Sequence, residues 1–212
     1  AALVVARPSE DIRPLVPWAT VFLGLITSFF VAMTFFLSNP FTLSQAIPAE
    51  GQGLNPLLRH PLLYVVRHPY RPDHHNTATL FQKGEINAGK FQGGSALKVF
   101  APDTGEARVL LECPNGVIRD PDVHFSGERI LFSMRRDADN AYHIYEIGRD
   151  GTGLRQLTRA PGVSDIDPIY LPGGDIVFSS TREPKYCMCN RHIMANLFRM
   201  DGDGANIHQI GK

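Results

Sequence analysis

The sequence predicts a mainly β protein, in which one transmembrane α-helix precedes an incomplete β-propeller of about two to three four-stranded blades. Residues 14–49 contain no charged side chain, which indicates a membrane segment. Residues 64–212 alternate short apolar runs with Gly, Asp, Asn and Pro turns, a pattern typical of many short antiparallel strands. This second region also repeats with a period of about 40–50 residues, as propeller blades do.

The overall composition excludes several classes of protein. The 212-residue chain carries 21 basic and 21 acidic side chains, so its formal net charge is zero. A neutral chain is not a histone-like basic protein, and we expect no nucleic-acid partner. The hydrophobic fraction of 43% argues against intrinsic disorder, and three cysteines are too few for a disulfide scaffold.

Residues 15–37 form the predicted transmembrane helix. At about 1.5 Å per residue, these 23 apolar residues reach across a hydrocarbon core of roughly 30 Å. A buried soluble helix and a cleaved signal peptide are the alternatives. A stripe of small residues would let other membrane helices approach closely, and it consists of Thr20, Gly24, Ser28 and Ala32.

The loop that follows the helix carries two motifs. Residues 38–41 read SNPF, and residues 51–58 read GQGLNPLL. On these motifs, residues 1–60 resemble a fragment of the cytochrome c maturation haem-lyase subunit family (CcmF-type). The resemblance implies a helix leading into an extracytoplasmic loop, a role in cytochrome c biogenesis, and haem as cofactor with His60 as its ligand. His60 begins the sequence HPLLY, where the family has His-Pro-Pro-Leu-Leu-Tyr.

The repeat is clearest in two aligned segments. Residues 120–135 read DPDVHFSGERILFSMR, and residues 167–182 read DPIYLPGGDIVFSSTR. Each is followed by an apolar strand, an Asp-Gly turn and a further strand, and an earlier copy of this second half covers residues 97–111. Asp-Gly turns supply the positive φ that tight strand reversals need. We expect Pro121 and Pro168 at the start of a blade, where no ladder donor is required.

This unit resembles the TolB-like, or PD40, propeller repeat. Residues 62–212 further resemble the propeller region of hydrazine synthase α-subunit-like bacterial proteins, on the segments RPDHHNTAT (71–79), IRDPDVHF (118–125) and STREPKYCMCNRHIM (180–194). The second resemblance implies a secreted protein in which a propeller precedes further domains, some of which carry c-type haem.

Two clusters of side chains are candidate metal sites. Cys187, Cys189 and His192 lie within six residues, and two thiolates with one imidazole suit Zn²⁺ or a copper ion. Their spacing is not Cys-x-x-Cys-His, so covalent haem attachment is not predicted. His74 and His75 form the second cluster. Adjacent histidines on an extended segment point to opposite faces, so the two cannot easily bind one metal ion. The alternative is that they are polar residues that hold the chain in place where it enters the first blade.

No catalytic residue is predicted. The sequence contains no Ser-His-Asp order, P-loop or dinucleotide fingerprint. We expect Arg119, Arg135 and Arg136 to be solvated or ion-paired loop residues, with a role in a ligand-binding rim as the alternative. We expect Cys113 to be a small residue of a turn or strand, with a nucleophile as the alternative.

The predicted organisation is a membrane segment and loop over residues 1–60 and a partial TolB-like propeller over residues 61–212. Because the two resemblances belong to unrelated families, the chain is either a composite of two fragments or a genuine membrane-anchored propeller. In both cases we expect the propeller to be an extracytoplasmic binding or scaffold module at the inner membrane, with a protein partner. The alternatives are a haem-handling cytochrome c biogenesis protein and a fragment of a haem- or metal-dependent enzyme subunit.

Overall fold

The computed structural model describes residues 4–5, 60–69, 88–186 and 193–211. The chain divides into two compact units, residues 1–7 with 55–212 and residues 8–54. The second unit lies outside the described residues, and so do the predicted helix over residues 15–37 and its small-residue stripe. Within the described ranges, no helix has the length and apolar character needed to span a bilayer.

The described residues form three antiparallel sheets of four strands each. Sheet 1 consists of β1 (Val4–Val5), β2 (Leu62–Arg67), β3 (Ser95–Ala101) and β4 (Glu106–Cys113). Sheet 2 consists of β5 (Val117–Val123), β6 (Arg129–Arg135), β7 (His143–Gly148) and β8 (Arg155–Gln156). Sheet 3 consists of β9 (Asp165–Tyr170), β10 (Ile176–Tyr186), β11 (Ile193–Met200) and β12 (His208–Gln209). A short 3₁₀ helix covers Ala88–Lys90.

Within each sheet, the strands lie side by side in the order of the chain. This confirms the prediction of a mainly β fold in which each repeat unit forms four strands. The aligned segments 120–135 and 167–182 supply the first two strands of sheets 2 and 3. Sheet 1 contains an unexpected strand, since Val4 pairs with Tyr64 and Val5 with Leu63. A two-residue strand is too short to show any periodicity in the sequence.

Apolar side chains from both faces of sheet 2 form the core. On one face, Phe132 lies in a cluster with Leu63 and Leu97 of sheet 1. On the other face, Leu131 lies in a cluster with Phe178 of sheet 3. Neighbouring residues of a strand point to opposite faces, so Leu131 and Phe132 pack sheet 2 between its two neighbours.

The Asp-Gly turns of sheets 2 and 3 pack against the preceding sheet. Gly151 has φ +89° and Gly204 has φ +94°, as the turn prediction requires. A Cβ atom at Gly204 would lie 2.7 Å from the carbonyl oxygen of Leu157. Beside these turns, Arg108 donates to the carbonyl of Asp150 at 2.8 Å, and Arg155 donates to that of Gly202 at 3.0 Å. An arginine of the last strand of sheet 1 thus binds the Asp-Gly turn of sheet 2, and an arginine of the last strand of sheet 2 binds that of sheet 3.

Candidate functional site

A polar groove of about 390 Å³ opens at the end of sheet 2 where β6 leads into β7 and β8 leads towards β9. The side chains that matter for its chemistry are those of Arg136, His143, Tyr145, Gln156 and Arg159. The meander of sheet 2 brings them together, because β7 pairs with β6 on one side and with β8 on the other.

Arg136 is held in the groove by Tyr145. Its Nε atom donates a hydrogen bond to the Tyr145 hydroxyl oxygen at 3.1 Å, and its guanidinium carbon lies 5.4 Å from the centre of the phenol ring. A cation over an aromatic face is attracted by the ring quadrupole. The two Nη nitrogens of Arg136 have no acceptor among the described residues.

The groove carries positive charge that no carboxylate neutralises within the described part of the chain. Neither Arg136 nor Arg159 has an acidic partner at ion-pair distance there. By contrast, Arg129 and Arg155 on the same sheet both contact Glu146, at 3.2 and 2.8 Å. Among the described residues, the two groove arginines thus lack the close carboxylate that Arg129 and Arg155 have.

His143 lies between the groove and the interior. Burial, together with the charges of Arg182, Arg136 and Arg159, lowers the pKa of His143, while Asp165 opposes this shift. The imidazole is therefore neutral at pH 7. Its Nδ1 atom is buried and has no hydrogen-bond partner among the residues described.

A buried ion pair formed by two residues of sheet 3 acts on His143. An Arg182 Nη2 atom contacts Oδ2 of the fully buried Asp165 at 2.9 Å. Burial raises the pKa of Asp165, whereas hydrogen bonds from Ser180 and Thr158 and the charge of Arg182 lower it. Polar contacts therefore continue from the groove into the interior of the fold.

A second polar feature is the pair Asp120 and Asp167, at equivalent places in β5 and β9. Both have left-handed backbones, with φ of 53° and 52°. Oδ2 of Asp120 accepts a hydrogen bond from the backbone N–H of Asp167 at 3.3 Å, and Arg119 contacts the same oxygen at 2.5 Å. Burial and the charge of Asp120 raise the pKa of Asp167 to about 6, against the lowering effect of Arg119.

These carboxylates join the first strands of sheets 2 and 3. Besides the Asp120 contact, Oδ2 of Asp122 accepts a hydrogen bond from the backbone N–H of Tyr170 at 2.9 Å. Pro121 and Pro168, which were predicted at the entry of a blade, lie within the first strand of sheet 2 and of sheet 3, a few residues after its start. Both prolines sit where the strand register shifts, and a bulge needs no ladder donor there.

No protein-family model matches the chain, and no curated protein sequence matches it. TolB from Acinetobacter baumannii is similar in structure at 16% identity and a TM-score of 0.45, over 71% of this chain and 29% of that one. A putative TolB from Agrobacterium tumefaciens matches at 22% identity and a TM-score of 0.45, over 54% and 40%. Hydrazine synthase from Kuenenia stuttgartiensis matches at 23% identity and a TM-score of 0.45, over 51% and 18%. The chain thus spans less than half the length of each.

The predicted metal clusters lie outside the described residues. Cys187, Cys189 and His192 fall between β10 and β11, and His74 and His75 fall between β2 and β3. Both segments connect the second strand of a sheet to the third, as residues 136–142 do in sheet 2. Both metal sites stay predictions.

The other candidate residues lie in the described part. His60 is exposed immediately before β2, and haem ligation there stays a prediction. Cys113 ends β4 with a buried free thiol, and burial raises its pKa. In the ranges that the structure describes, no group of three or more His, Cys, Asp or Glu side chains is arranged to hold a metal ion.

The predicted environments of Arg119, Arg135 and Arg136 agree only in part with the structure. Arg119 is ion-paired, as predicted, but it lies in strand β5 and not in a loop, and Arg136 is exposed. Arg135 is not the solvated loop residue that was predicted, because it lies in β6, is only 2% exposed and has its guanidinium carbon 4.2 Å from the centre of the Phe91 ring. Arg159 and His143 were missed, since 16 residues separate them and only the pairing of β7 with β8 brings their segments together.

Proposed function

We propose that residues 61–212 are part of a TolB-like β-propeller that acts as a binding module, and that the polar groove is its ligand site. The observation that carries the proposal is the groove itself, where Arg136 and Arg159 face a cavity of about 390 Å³ without a described counter-charge. This volume falls within the range of small-molecule sites, roughly 300–1,000 Å³.

Binding fits the lining of the groove better than catalysis does. Among the described lining residues there is no Ser, Cys, Thr, Asp or Glu. The lining can therefore supply cations, amides, the Tyr145 hydroxyl and a neutral imidazole, but not the carboxylate that hydrolytic sites usually combine with a nucleophile. This end of the sheets would hold a ligand and, through its connecting segments, a protein partner.

The binding module is tested by ligand screening on the full chain, read as a shift of the thermal unfolding midpoint. A ligand at about 100 times its dissociation constant stabilises a protein by roughly 2.7 kcal/mol. Such a ligand should stabilise the wild type and Arg149→Gln, and should fail to stabilise Arg159→Gln. Arg149 is a matched control because it is an exposed arginine in the turn between β7 and β8, paired with Glu128 at 3.2 Å.

Stabilisation that is equal in both variants would place the ligand elsewhere. If a broad set of anionic, neutral and cationic ligands gives no shift that depends on Arg159, the groove is not a ligand site and the proposal is wrong.

We propose further that residues 15–37 anchor this module in the inner membrane, with the blades on the extracytoplasmic side. The support is the uncharged sequence from residue 14 to residue 49. The small-residue stripe would contact other membrane helices. The full chain should then stay in the membrane pellet after alkaline carbonate extraction.

Introducing a charged residue into the apolar run tests whether residues 15–37 hold the chain in the membrane. Phe29→Arg, near the centre of the run, costs about 2.5–3.5 kcal/mol of insertion free energy and should release the chain. Gln52→Arg, beyond the run, should not. A wild-type chain that is extracted completely would contradict the anchor.

A further inference from the structure

The hydrogen-bond donors that remain unused in the polar groove indicate which chemical groups a ligand must carry. The Nε atom of Arg136 is already used by Tyr145, and the Nε2 atom of Gln156 donates to the carbonyl of Thr158 at 2.9 Å. The amide nitrogen of Asn140 donates to Asp137 at 2.7 Å. The donors left in the described lining are therefore the terminal nitrogens of Arg136, the Arg159 guanidinium, the hydroxyl proton of Tyr145, the second hydrogen of each amide and the one N–H of His143. Of these donors, only the two guanidinium groups are charged.

Arg136 and Tyr145 form a prearranged pair of donors. The Tyr145 oxygen accepts from Arg136, so its own proton is free to be donated to a ligand. Tyr145 is 1% exposed and its ring stacks on that of Phe132, so its position is set before any ligand arrives. The exposed Arg136 is oriented by its hydrogen bond to the Tyr145 hydroxyl oxygen. Prearranged groups lose little conformational entropy on binding, which favours affinity.

The charges around the groove favour an anion. Arg136 and Arg159 both act on His143 and on Tyr145, so both guanidinium charges fall on the same small region. The acidic group that acts on His143, Asp165, is fully buried and already bound to Arg182. Asp137 follows Arg136 in the chain, and its carboxylate accepts hydrogen bonds from the side chain and backbone of Asn140. A guanidinium matches the planar, two-oxygen edge of a carboxylate or phosphate, and can bind either through two parallel hydrogen bonds.

We infer that the polar groove binds an oxyanion group, the carboxylate or phosphate of a small polar ligand, through the guanidinium groups of Arg136 and Arg159 and the hydroxyl group of Tyr145. This inference rests on the proposed binding module and adds the chemical class of its ligand. Neutral His143 and the Gln156 amide oxygen, an acceptor with no described donor, would contact the remainder of the ligand.

Isothermal titration of the full chain with two probes tests the inference. Inorganic phosphate represents the phosphate source and succinate the carboxylate source, with total ionic strength held constant by chloride. At least one probe should bind saturably with one site per chain. The tighter of the two identifies the oxyanion that the groove prefers.

The variants identify where the probe binds. Loss of one charged hydrogen-bonding partner in Arg159→Gln should weaken binding by about tenfold or more. Arg149→Gln removes the same charge from the opposite end of sheet 2 and should change affinity less than about twofold. Tyr145→Phe keeps the packed ring and should also weaken binding, by about threefold or more, because it removes the hydroxyl donor.

Two results would overturn the inference. One is the absence of saturable binding for both probes. The other is an equal loss of affinity in Arg159→Gln and Arg149→Gln, which would show attraction by general surface charge. If neutral or cationic ligands stabilise the chain through Arg159 while phosphate and succinate do not, the binding module stands and only the oxyanion is wrong.

Discussion

The substitution Asp167→Asn should stabilise the fold at neutral pH and leave it unchanged in acid. The carboxyl of Asp167 lies beside Asp120, and burial and this neighbouring charge raise its pKa from 3.8 to about 6. The folded state therefore binds a proton more tightly than the unfolded state. The stability that this proton brings is fully present below pH 4 and is lost as the pH rises through 6.

The structure sets the size of the effect. A pKa rise of about 2.2 corresponds to at most about 3 kcal/mol. The Asp167 side chain is 51% exposed, so solvent screening should reduce this to about 1 kcal/mol. Asparagine is well suited to the site, because it tolerates the φ of 52° found at Asp167 and keeps the backbone N–H that contacts Asp120.

Urea unfolding followed by circular dichroism, at pH 4 and pH 7.5, measures the effect. Asp167→Asn should unfold with about 1 kcal/mol more free energy than the wild type at pH 7.5, and the two should converge at pH 4. Asp103→Asn, in the exposed turn between β3 and β4, is the matched control and should show no such dependence. The reasoning is refuted if Asp167→Asn is less stable at pH 7.5, or if its difference from the wild type is the same at both pH values.

Three further changes test other contacts. Tyr170→Phe removes a 2.6 Å hydrogen bond to Glu146 across sheets 2 and 3 and should lower the unfolding free energy by about 1.5 kcal/mol in urea titrations, whereas an unchanged midpoint would show that this bond adds no stability. Gly204→Ala must place a Cβ atom against a backbone carbonyl at φ +94° and should cost about 1–3 kcal/mol, while Gly173→Ala, in open space, should stay within about 0.5 kcal/mol. If the predicted thiolate cluster binds metal, elemental analysis should find one equivalent of zinc or copper in the wild type and none in Cys187→Ser, and a metal-free wild type would contradict the prediction.

The repeat made most of the strands in sheets 2 and 3 predictable. Phe132 and Phe178 occupy the same place in their repeat units, and both are fully buried on the face towards the preceding sheet. Period and turn chemistry are local properties, so one sequence is enough to detect them. The pairing of Val4–Val5 with β2 joins residues almost 60 positions apart, and no local pattern signals it.

The polar groove was less predictable than the sheets. Arg136 and Arg159 are 23 residues apart and belong to no motif. They line one cavity only because β6, β7 and β8 pair in order. Cys187 and Cys189 form a recognisable sequence pattern because one residue separates them. A site assembled from separate connecting segments has no such local pattern. The repeat could have indicated the location of the groove, since residues 136–142 and 187–192 both connect the second strand of a sheet to the third.

The pKa of His143 gives the most direct test of the central claim, that the polar groove is an anion-binding site. Histidine-selective NMR of the full chain, assigned with His143→Gln, follows the ring through a pH titration with and without succinate or phosphate. Burial and three cations, Arg182, Arg136 and Arg159, depress this pKa. An anion bound at Arg136 and Arg159 offsets two of these three charges while Asp165 and Arg182 stay in place, so we expect the pKa of His143 to rise. A His143 titration that neither anion alters beyond the change produced by chloride at the same ionic strength would contradict this claim.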